Sequence, residues 1–410
     1  MLIHLPRLIS RWSRTHSRAL ACIGGVSISR YATAVTYTML PVTAAFLYGE
    51  WWAGVFLGVF NFFQAFIGDP IAGNLADRIG SKIVVLIGIG FVAMAGILWF
   101  FIPLNNLVAL SVFAALVFLG FSFRDESLAY LLRVSGREEG GLIFGFAENV
   151  YAVAHLLAAL SVPYFVAGGR SMLMALIMVL SSVFAFIILV RLPNDREAIL
   201  VNGIKQSFNP LVVIKLGWHF VRKNQWHPIL TLGSFTFEGI FYGVLWFAIP
   251  LEIANLTNLG SLEGLGLGIY EIVTIILAGV SGYLADRYNW LKIHNIGWIL
   301  AAAGAVGFIF NSSPFWLIAL GAVIGIGNNF FAFAASHALE KYDDDHDGDG
   351  SFFGLTNMLS DAGYAIGPIM AGFFYARGGF RASLGFAAAV TVILAIAMII
   401  TAQRVRKRLS

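Results

Sequence analysis

The sequence predicts an all-α membrane protein whose twelve transmembrane helices form two six-helix, pseudo-symmetric bundles. The chain is 59% hydrophobic and only 12% charged, whereas a soluble domain carries roughly 25% charged residues. Long apolar runs follow one another along nearly all of its 410 residues. The stretch Gly-Asn-Leu-Ala-Asp-Arg that begins at Gly73 returns as Gly-Tyr-Leu-Ala-Asp-Arg 209 residues later, at Gly282. A repeat at about half the chain length indicates an internal duplication.

Apolar runs define the predicted helices, since a helix needs about 20 apolar residues to cross a bilayer. Twelve runs qualify, at residues 19–47, 53–76, 83–102, 107–131, 142–166, 171–191, 229–254, 265–285, 293–311, 315–338, 351–376 and 381–402. They are named spans 1 to 12 in this order. Span 1 is too long for the apolar region of a signal peptide, so we expect it to be retained. An even number of spans places both termini on one side of the membrane.

The basic residues predict which side that is. With a cytoplasmic N-terminus, Arg170, Arg377 and Arg381 lie outside the cell, and Arg30 lies within span 1. All other Lys and Arg residues then lie at or near the cytoplasmic face. Because cytoplasmic loops are enriched in Lys and Arg, we predict cytoplasmic N- and C-termini and a location in the plasma, or inner, membrane.

The longest connection, residues 192–228, divides the chain into a first bundle, 1–191, and a second bundle, 229–410. Within this linker, apolar and basic residues at helical spacing predict an amphipathic helix that rests on anionic headgroups. Its members are Leu211, Val212, Ile214, Lys215, Trp218, His219, Arg222 and Lys223. The 209-residue offset also pairs Pro41 with Pro250. Parallel repeats are a known transporter plan, with the substrate site near the membrane midplane where the repeats meet.

Several classes of function are disfavoured by what the sequence lacks. Cys22 is the only cysteine, so neither an intrachain disulfide nor a cysteine metal cluster can form within one chain. No G-x-x-x-x-G-K-S/T sequence supports an ATP-driven pump. Acidic residues and histidines are not spaced as metal ligands, and the basic residues form no nucleic-acid patch. We therefore expect no enzyme activity, no metal, no cofactor and no nucleic-acid partner.

The loop between spans 2 and 3 carries the most specific motif, Gly-x-Leu-Ala-Asp-Arg-x-Gly-Ser-Lys. Its defining members are Gly73, Asp77, Arg78, Gly80 and Lys82. The second copy contributes Gly282, Asp286 and Arg287, with Asn289 in place of the second glycine. A repeated motif of this kind in a twelve-span chain resembles the major facilitator superfamily over essentially the full length, and in particular its proton-coupled efflux members.

The resemblance implies that the motif is a gating latch. In the family, the motif aspartate meets the cytoplasmic start of span 11 across the interface between the bundles, and Asp77 would do so here. Asp286 would meet the start of span 5, and Arg78 would bind Asp125 and Glu126 at the end of span 4. An acidic side chain is favourable at a helix N-terminus, and these contacts would break when the cytoplasmic side opens. The alternative is an ordinary charged loop that fixes topology.

Four ionisable residues lie near the middle of predicted spans: Arg30 in span 1, His155 in span 5, Glu238 in span 7 and Asp361 in span 11. Such groups are costly in a membrane and mark functional sites by default. A desolvated carboxyl group can bind and release protons near neutral pH, so Glu238 and Asp361 are the leading proton sites. Arg30 would pair with either of them or hold an anionic substrate group, and His155 is a candidate proton relay. The alternative is a permanent ion pair that only fixes helix packing.

Aromatic and amide side chains are predicted to line a substrate site between the bundles. They share helical faces with the midplane charges or lie in span 10: Tyr37, Tyr242, Trp246, Asn328 and Asn329. Few fixed charges and many aromatic residues favour a lipophilic or amphipathic substrate over a sugar. Asp69, Glu148 and Glu271 lie nearer span ends, where we expect their side chains to reach water.

The acidic loop at residues 343–349 imitates half of a calcium site. It follows the start of an EF-hand loop with Asp343, Asp345, Asp347 and Gly348. The position that should carry the bidentate glutamate is Gly354. We expect a solvated loop, with calcium binding as the alternative that a calcium titration would test.

The function favoured by the sequence is secondary active transport by alternating access, coupled to protons and exporting lipophilic or amphipathic small molecules. We expect a monomer surrounded by membrane lipids. An organic-anion carrier that binds its substrate through Arg30 is the alternative within the same fold. A membrane scaffold or sensor without transport is the alternative from another class. Retained midplane charges argue against the scaffold, because they cost stability.

Overall fold

The computed structural model describes the chain except for residues 1–16, 128–129, 132–139, 168–170, 196–226, 256–267, 270, 278–279, 282–283, 285–287, 289, 311–313, 344–348 and 410. The described residues form helices and no strand. The helices are α1 (Ser17–Tyr48), α2 (Glu50–Ile79), α3 (Ser81–Phe101), α4 (Leu107–Asp125), α5 (Gly140–Ala167), α6 (Ser171–Val190), α7 (His227–Asn255), α8 (271–277), α9 (Trp290–Phe310), α10 (Pro314–Asp343) and α11 (Asp349–Leu409). Helices α1 to α7, α9 and α10 overlap the spans of the same number, and α11 covers spans 11 and 12. Of span 8, α8 covers only residues 271–277.

Seven helical stretches of the described chain are long and apolar enough to cross a membrane. They are Glu50–Ile79, Ser81–Phe101, Leu107–Asp125, Met172–Val190, Trp290–Phe310, Ile318–Ala335 and Asn357–Thr401. Large apolar side chains such as Phe46 and Phe310 are exposed on the surface, as expected where lipid surrounds a protein. The chain is a multi-pass membrane protein, and the number of twelve spans stays a prediction.

Three glycines with positive φ separate consecutive helices. Gly49, with a φ of 83°, lies between α1 and α2. Gly80 has a φ of 99° and forms the tight turn between α2 and α3 that the motif predicts. Gly379, with φ 67° and ψ −163°, interrupts α11, so the range Asp349–Leu409 consists of two helices that meet there. Glycine adopts positive φ at little cost because it has no Cβ.

Helix α2 changes its hydrogen-bonding pattern near its middle. Gln64–Gly68 is π-helical, and Pro70 follows at the start of the next α-helical turn. Proline has no N–H group to continue the α-helical pattern, which explains a local π-helical segment at this point. Such segments frequently occur at functional sites. Here Gln64 is the first residue of the segment and Asp69 follows its last residue.

Helix α2 packs closely against α11. A Cβ atom placed on Gly54 would lie 3.1 Å from the Cα of Gly372. One placed on Gly58 would lie 2.6 Å from the carbonyl oxygen of Ala365. The two glycines therefore allow the helix backbones to approach each other, as small residues do in membrane helix pairs.

The same contact continues along α2. Ala65 packs against Met358, and the segment Asp69–Ile79 also contacts α11. Because α2 belongs to the first half of the chain and α11 to the second, this interface joins the two halves.

Helix α11 also packs against α7 through glycines. A Cβ atom on Gly239 would lie 3.0 Å from the Cα of Gly363, and one on Gly243 would lie 3.2 Å from the Cα of Gly367. Helices α2, α7 and α11 are thereby held at short distances, and the ionisable residues described next lie on or beside them.

Candidate functional site

Arg30 of α1 is held by a carboxylate and an aromatic ring. Its Nη2 donates a hydrogen bond to Asp125 Oδ1 at 2.9 Å, and its guanidinium lies 4.0 Å from the ring centroid of Tyr151. The same Asp125 oxygen accepts from Arg124 Nε at 3.3 Å and from Nη2 at 3.2 Å. Arg124 Nη1 also donates to Thr33 Oγ1 at 2.6 Å. One carboxylate thus joins two guanidinium groups, and Arg30, Arg124 and Asp125 are named the arginine cluster.

The arginine cluster corrects two predictions. Arg30 pairs neither with Glu238 nor with Asp361, because Asp125 on the neighbouring helix α4 supplies the closer negative charge. Asp125 is bound by two arginines rather than by Arg78. Asp125 is the last residue of α4, and its carboxylate contacts Arg30 of α1.

His155 of α5 contacts a carboxylate from the second half of the chain. Its Nδ1 lies 3.4 Å from Glu271 Oε1 on α8, and its ring centroid lies 6.5 Å from that of Trp246 on α7. Glu148, also on α5, is close enough to interact electrostatically with both His155 and Arg30. The side chain of Glu271 is only 14% exposed. Glu148 and Glu271 therefore belong to a partly buried group of charges and do not simply reach water.

Glu238 of α7 is partly buried beside two amides of α10. Asn328 Nδ2 donates to Glu238 Oε1 at 3.4 Å. Asn329 donates instead to Thr274 Oγ1 at 3.0 Å and to the Gly325 carbonyl at 2.8 Å. The two predicted amides thus differ in role, since Asn328 contacts the carboxyl group and Asn329 ties α10 to α8.

Asp361 of α11 lies at the contact with α2. Gln64 Nε2 donates to Asp361 Oδ2 at 2.5 Å. Asp69, further along α2, places its carboxyl group within hydrogen-bonding reach of the same side chain. Asp69 is only 2% exposed, so the expectation that it reaches water is wrong. Helix α11 covers it.

An aromatic cluster surrounds Tyr37 of α1. Its ring contacts three others at centroid distances of 5.9 Å for Phe118, 6.0 Å for Phe121 and 6.1 Å for Trp246. The Tyr37 hydroxyl accepts from Asn61 Nδ2 at 3.5 Å. Tyr242 lies one turn from Glu238 on α7 and is partly buried. Aromatic surface from α1, α4 and α7 therefore adjoins the ionisable groups.

The α2 part of the predicted latch is mostly buried. Gly73 and Asp77 are buried in α2, whereas Arg78 is exposed. Glu126, directly after α4, is 1% exposed. Burial of Asp77 is consistent with a position inside a helix interface, but the proposed contact with the start of span 11 stays a prediction.

The α3 part of the motif is fixed to the start of the linker. Asp195 Oδ2 accepts from the backbone N–H of Ser81 at 2.8 Å, and its Oδ1 accepts from that of Lys82 at 3.3 Å. A Cβ atom on Gly80 would lie 2.6 Å from the Asp195 carboxylate. Lys82 Nζ donates to the Val190 carbonyl at 2.9 Å. Asp195 thus caps α3, and Lys82 binds the carboxyl end of α6, where a cation is favourable.

Other predictions fall outside the described residues. These are the second motif copy, Gly282, Asp286 and Arg287, the amphipathic helix within 196–226, and residues 344–348 of the acidic loop. Among the residues that the structure does describe, no group of three or more His, Cys, Asp or Glu side chains is arranged to hold a metal ion.

Sequence reasoning gave no role to Gln64, Arg124 or Asp195. Gln64 could have been found as a polar residue in the middle of an apolar span, a position that is costly without a partner. Asp195 follows Pro193 and is typical of a cap, yet no sequence signal indicates that the helix it caps begins more than a hundred residues earlier. Arg124 adjoins Asp125 in sequence, but only the helix contact reveals Arg30 as the second cation.

The chemistry of the site follows from these groups. Carboxyl groups on α2, α7, α8 and α11 and an imidazole on α5 form the ionisable part of the site. Aromatic rings on α1, α4 and α7 supply apolar surface beside them. Both kinds of group come from both halves of the chain.

Known proteins resemble this chain in sequence. A family model described as Major Facilitator Superfamily matches residues 19–339 and 237–409. The multidrug resistance protein MdtG of Salmonella paratyphi C (strain RKS4594) is 25% identical over 362 residues, with 84% of each chain aligned. The MdtG protein of Salmonella typhi is 25% identical over 366 residues, again with 84% of each chain aligned.

Solved structures share the fold. The human organic anion transporter MFSD10 (TETRAN) superposes with a TM-score of 0.64 at 13% identity, covering 93% of this chain and 98% of its own. A mutant of the nucleoside transporter NupG gives a TM-score of 0.66 at 15% identity, covering 93% of this chain and 99% of the NupG chain. Such low identities establish the fold alone. Since the family model extends over nearly the whole sequence, the chain belongs to the major facilitator superfamily of membrane transporters.

Proposed function

We propose that the protein is a proton-coupled secondary transporter that exports lipophilic or amphipathic small molecules across the plasma, or inner, membrane by alternating access. The observation that supports this most directly is that titratable and aromatic groups meet between the two halves of the chain. His155 lies 3.4 Å from Glu271, and the ring centroid of Tyr37 lies 6.1 Å from that of Trp246. Alternating access requires contacts of this kind to break and re-form.

Glu238 and Asp361 are the proposed proton sites. Among the described residues, each is hydrogen-bonded by a neutral amide, from Asn328 and Gln64 respectively, and neither forms a salt bridge. A carboxyl group with a neutral partner can change its charge without breaking an ion pair. Proton uptake at Glu238 would therefore alter the charge of the substrate region directly.

The proposed substrates follow from the aromatic cluster around Tyr37. Aromatic walls with a few polar groups are typical of sites for small apolar ligands. The name of the aligned relatives, multidrug resistance protein, supports export of such compounds. Transport of an organic anion is less well supported, because Arg30 is already bound to Asp125 at 2.9 Å and an anion would have to displace that carboxylate.

The proposed architecture keeps the first bundle at 1–191, the linker at 192–228 and the second bundle at 229–410. Cytoplasmic termini and a gating latch at Gly73–Lys82 complete it. Contact of the segment Asp69–Ile79 with α11 supports a latch that spans the two halves.

Transport by purified protein in proteoliposomes tests the proposal. With an imposed pH gradient, we expect wild type to accumulate a fluorescent lipophilic cation or a neutral lipophilic dye. Glu238→Gln should lose gradient-driven accumulation at least tenfold and retain gradient-independent exchange. Glu252→Gln is the matched control, because Glu252 lies on the same helix but bonds Tyr375, at 2.9 Å, and should transport as wild type.

Three other results would overturn the proposal. Gradient-independent flux of a fluorescent organic anion that only Arg30→Ala abolishes would establish the anion carrier. The absence of flux for cationic, neutral and anionic probes alike would favour a scaffold or sensor. Equal gradient dependence in Glu238→Gln, Asp361→Asn and wild type would remove both carboxyl groups as proton sites.

A further inference from the structure

Two acidic side chains face each other where α2 packs against α11. Asp69 follows the π-helical segment Gln64–Gly68 of α2, and Asp361 lies on α11. Their carboxyl groups are within hydrogen-bonding reach. Ionised carboxylates only accept hydrogen bonds, so a hydrogen bond between the two groups requires a proton on one of them.

The surroundings supply few other donors. Gln64 Nε2 donates to Asp361 Oδ2. Both oxygens of Asp69 are inaccessible to solvent, and no amide, hydroxyl or cationic donor of the described residues forms a well-aligned hydrogen bond with them. The Ser122 hydroxyl also faces Asp69, but a single hydroxyl cannot replace the hydration of a carboxylate. A buried ionised carboxylate without adequate partners is very costly.

The nearby charges do not neutralise the pair. The other ionisable groups around it lie on α1, α4, α7 and α11 and are acidic or phenolic: Tyr37, Asp125, Glu126, Glu238 and Tyr364. Arg30 and Arg124 are the cations of this region, and both are bound to Asp125. Within the described chain, no cation bonds Asp69 or Asp361.

We propose that Asp69 and Asp361 share one proton and that this proton locks α2 to α11. With the proton bound, one carboxyl group donates to the other and the helix contact holds. Without it, two negative charges at hydrogen-bond distance repel each other in a poorly screened interior. Because the two helices come from different halves of the chain, release of the proton favours separation of the halves. The proposal rests on the proton-coupled function above and adds Asp69 to it.

Infrared difference spectroscopy of the full-length protein in liposomes tests this directly. Wild type, including a sample made with isotope-labelled aspartate, should show a protonated carboxylic acid band that shifts with the label and disappears as the pH rises. Asp69→Asn and Asp361→Asn should each abolish the whole band, because the new amide donates to the remaining carboxylate and no proton is needed. Asp77→Asn, a buried carboxyl group two turns away on α2, is the matched control and should retain it.

Several results would overturn the shared proton. The first is the absence of an aspartate-dependent band in the labelled wild-type protein, a result that does not depend on the folding of any variant. The second is that Asp69→Asn and Asp361→Asn each remove a different part of the band. Thermal unfolding gives a second readout. Wild-type stability should fall over the pH range in which the band disappears, and the stability of Asp69→Asn should not change there.

The outcome is separable from that of the transport experiment. A band that behaves as expected in a protein without gradient-driven transport would overturn the proposed function and leave the shared proton intact. Gradient-driven transport in a protein without the band would overturn the shared proton alone.

Discussion

The arginine cluster predicts that its members are unequal in their effect on stability. Asp125→Asn removes the one carboxylate that holds both guanidinium groups and leaves Arg30 and Arg124 as neighbouring cations. Arg30→Gln leaves Asp125 bound to Arg124. We therefore expect Asp125→Asn to destabilise the folded protein more than Arg30→Gln does.

The distances between the charged groups determine how much stability each variant should lose. Unit charges 2.9 Å apart interact by roughly 6 kcal/mol at an effective dielectric constant of about 20, and desolvation offsets much of this attraction. Removing one partner of a buried pair costs about 3–5 kcal/mol. This range applies to Asp125→Asn because the Arg124 side chain is only 4% exposed. For Arg30→Gln we expect about 2 kcal/mol, the net contribution of one hydrogen bond to a charged group.

Reversible unfolding of the purified protein in mixed micelles, followed by tryptophan fluorescence, measures these differences. The exposed Lys292 on α9 supplies a charge-removal control, since Lys292→Gln should change the free energy of unfolding by less than about 0.5 kcal/mol. The double variant Arg30→Gln/Asp125→Asn should lose less than the two single variants together. A loss in Arg30→Gln equal to or larger than that in Asp125→Asn would refute the reasoning.

Three further predictions concern packing, capping and burial. Gly58→Ala should lower the free energy of unfolding by about 1–3 kcal/mol, because the new Cβ atom would lie 2.6 Å from a carbonyl oxygen of α11. Gly90→Ala is the control and should not lower it, because a Cβ atom on Gly90 would have no atom within 4 Å. Asp195→Ala should lower it by about 1 kcal/mol by uncapping α3, and Asp195→Asn should restore most of the loss. Cys22, which is 1% exposed, should react with a maleimide only on unfolding, and rapid labelling of the native protein would contradict its position.

Helix positions could be predicted because the bilayer imposes a length and a composition on every spanning helix. Spans 1 to 7, 9 and 10 overlap helices of the described chain for this reason. The turn at Gly80 could be predicted too, because a glycine between two apolar runs is free to adopt the positive φ observed there. These features depend on neighbours along the chain.

Partners inside the membrane could not be predicted in the same way. The sequence of a helix indicates which side chains lie on the same face. The rotation and tilt of the helices determine which residues of other helices those side chains contact. On that basis the sequence predicts Glu238 or Asp361 as the partner of Arg30, whereas helix packing places Asp125 beside it. Likewise, the position of Asp69 near the end of its span predicts contact with water, whereas α11 packs over this part of α2 and Asp69 is buried.

Gly80 separates the Gly73–Lys82 motif into two parts that contact different halves of the chain. Its second part is fixed within the first half of the chain, because Lys82 binds the end of α6 and Asp195 caps α3. Its first part belongs to α2, which packs on α11 of the second half. A force that separates α2 from α11 would therefore act on a helix whose far end is anchored at this turn. Asp69 lies about 16 Å from Gly80 along α2 at 1.5 Å per residue, so the shared proton and the motif would act on one helix.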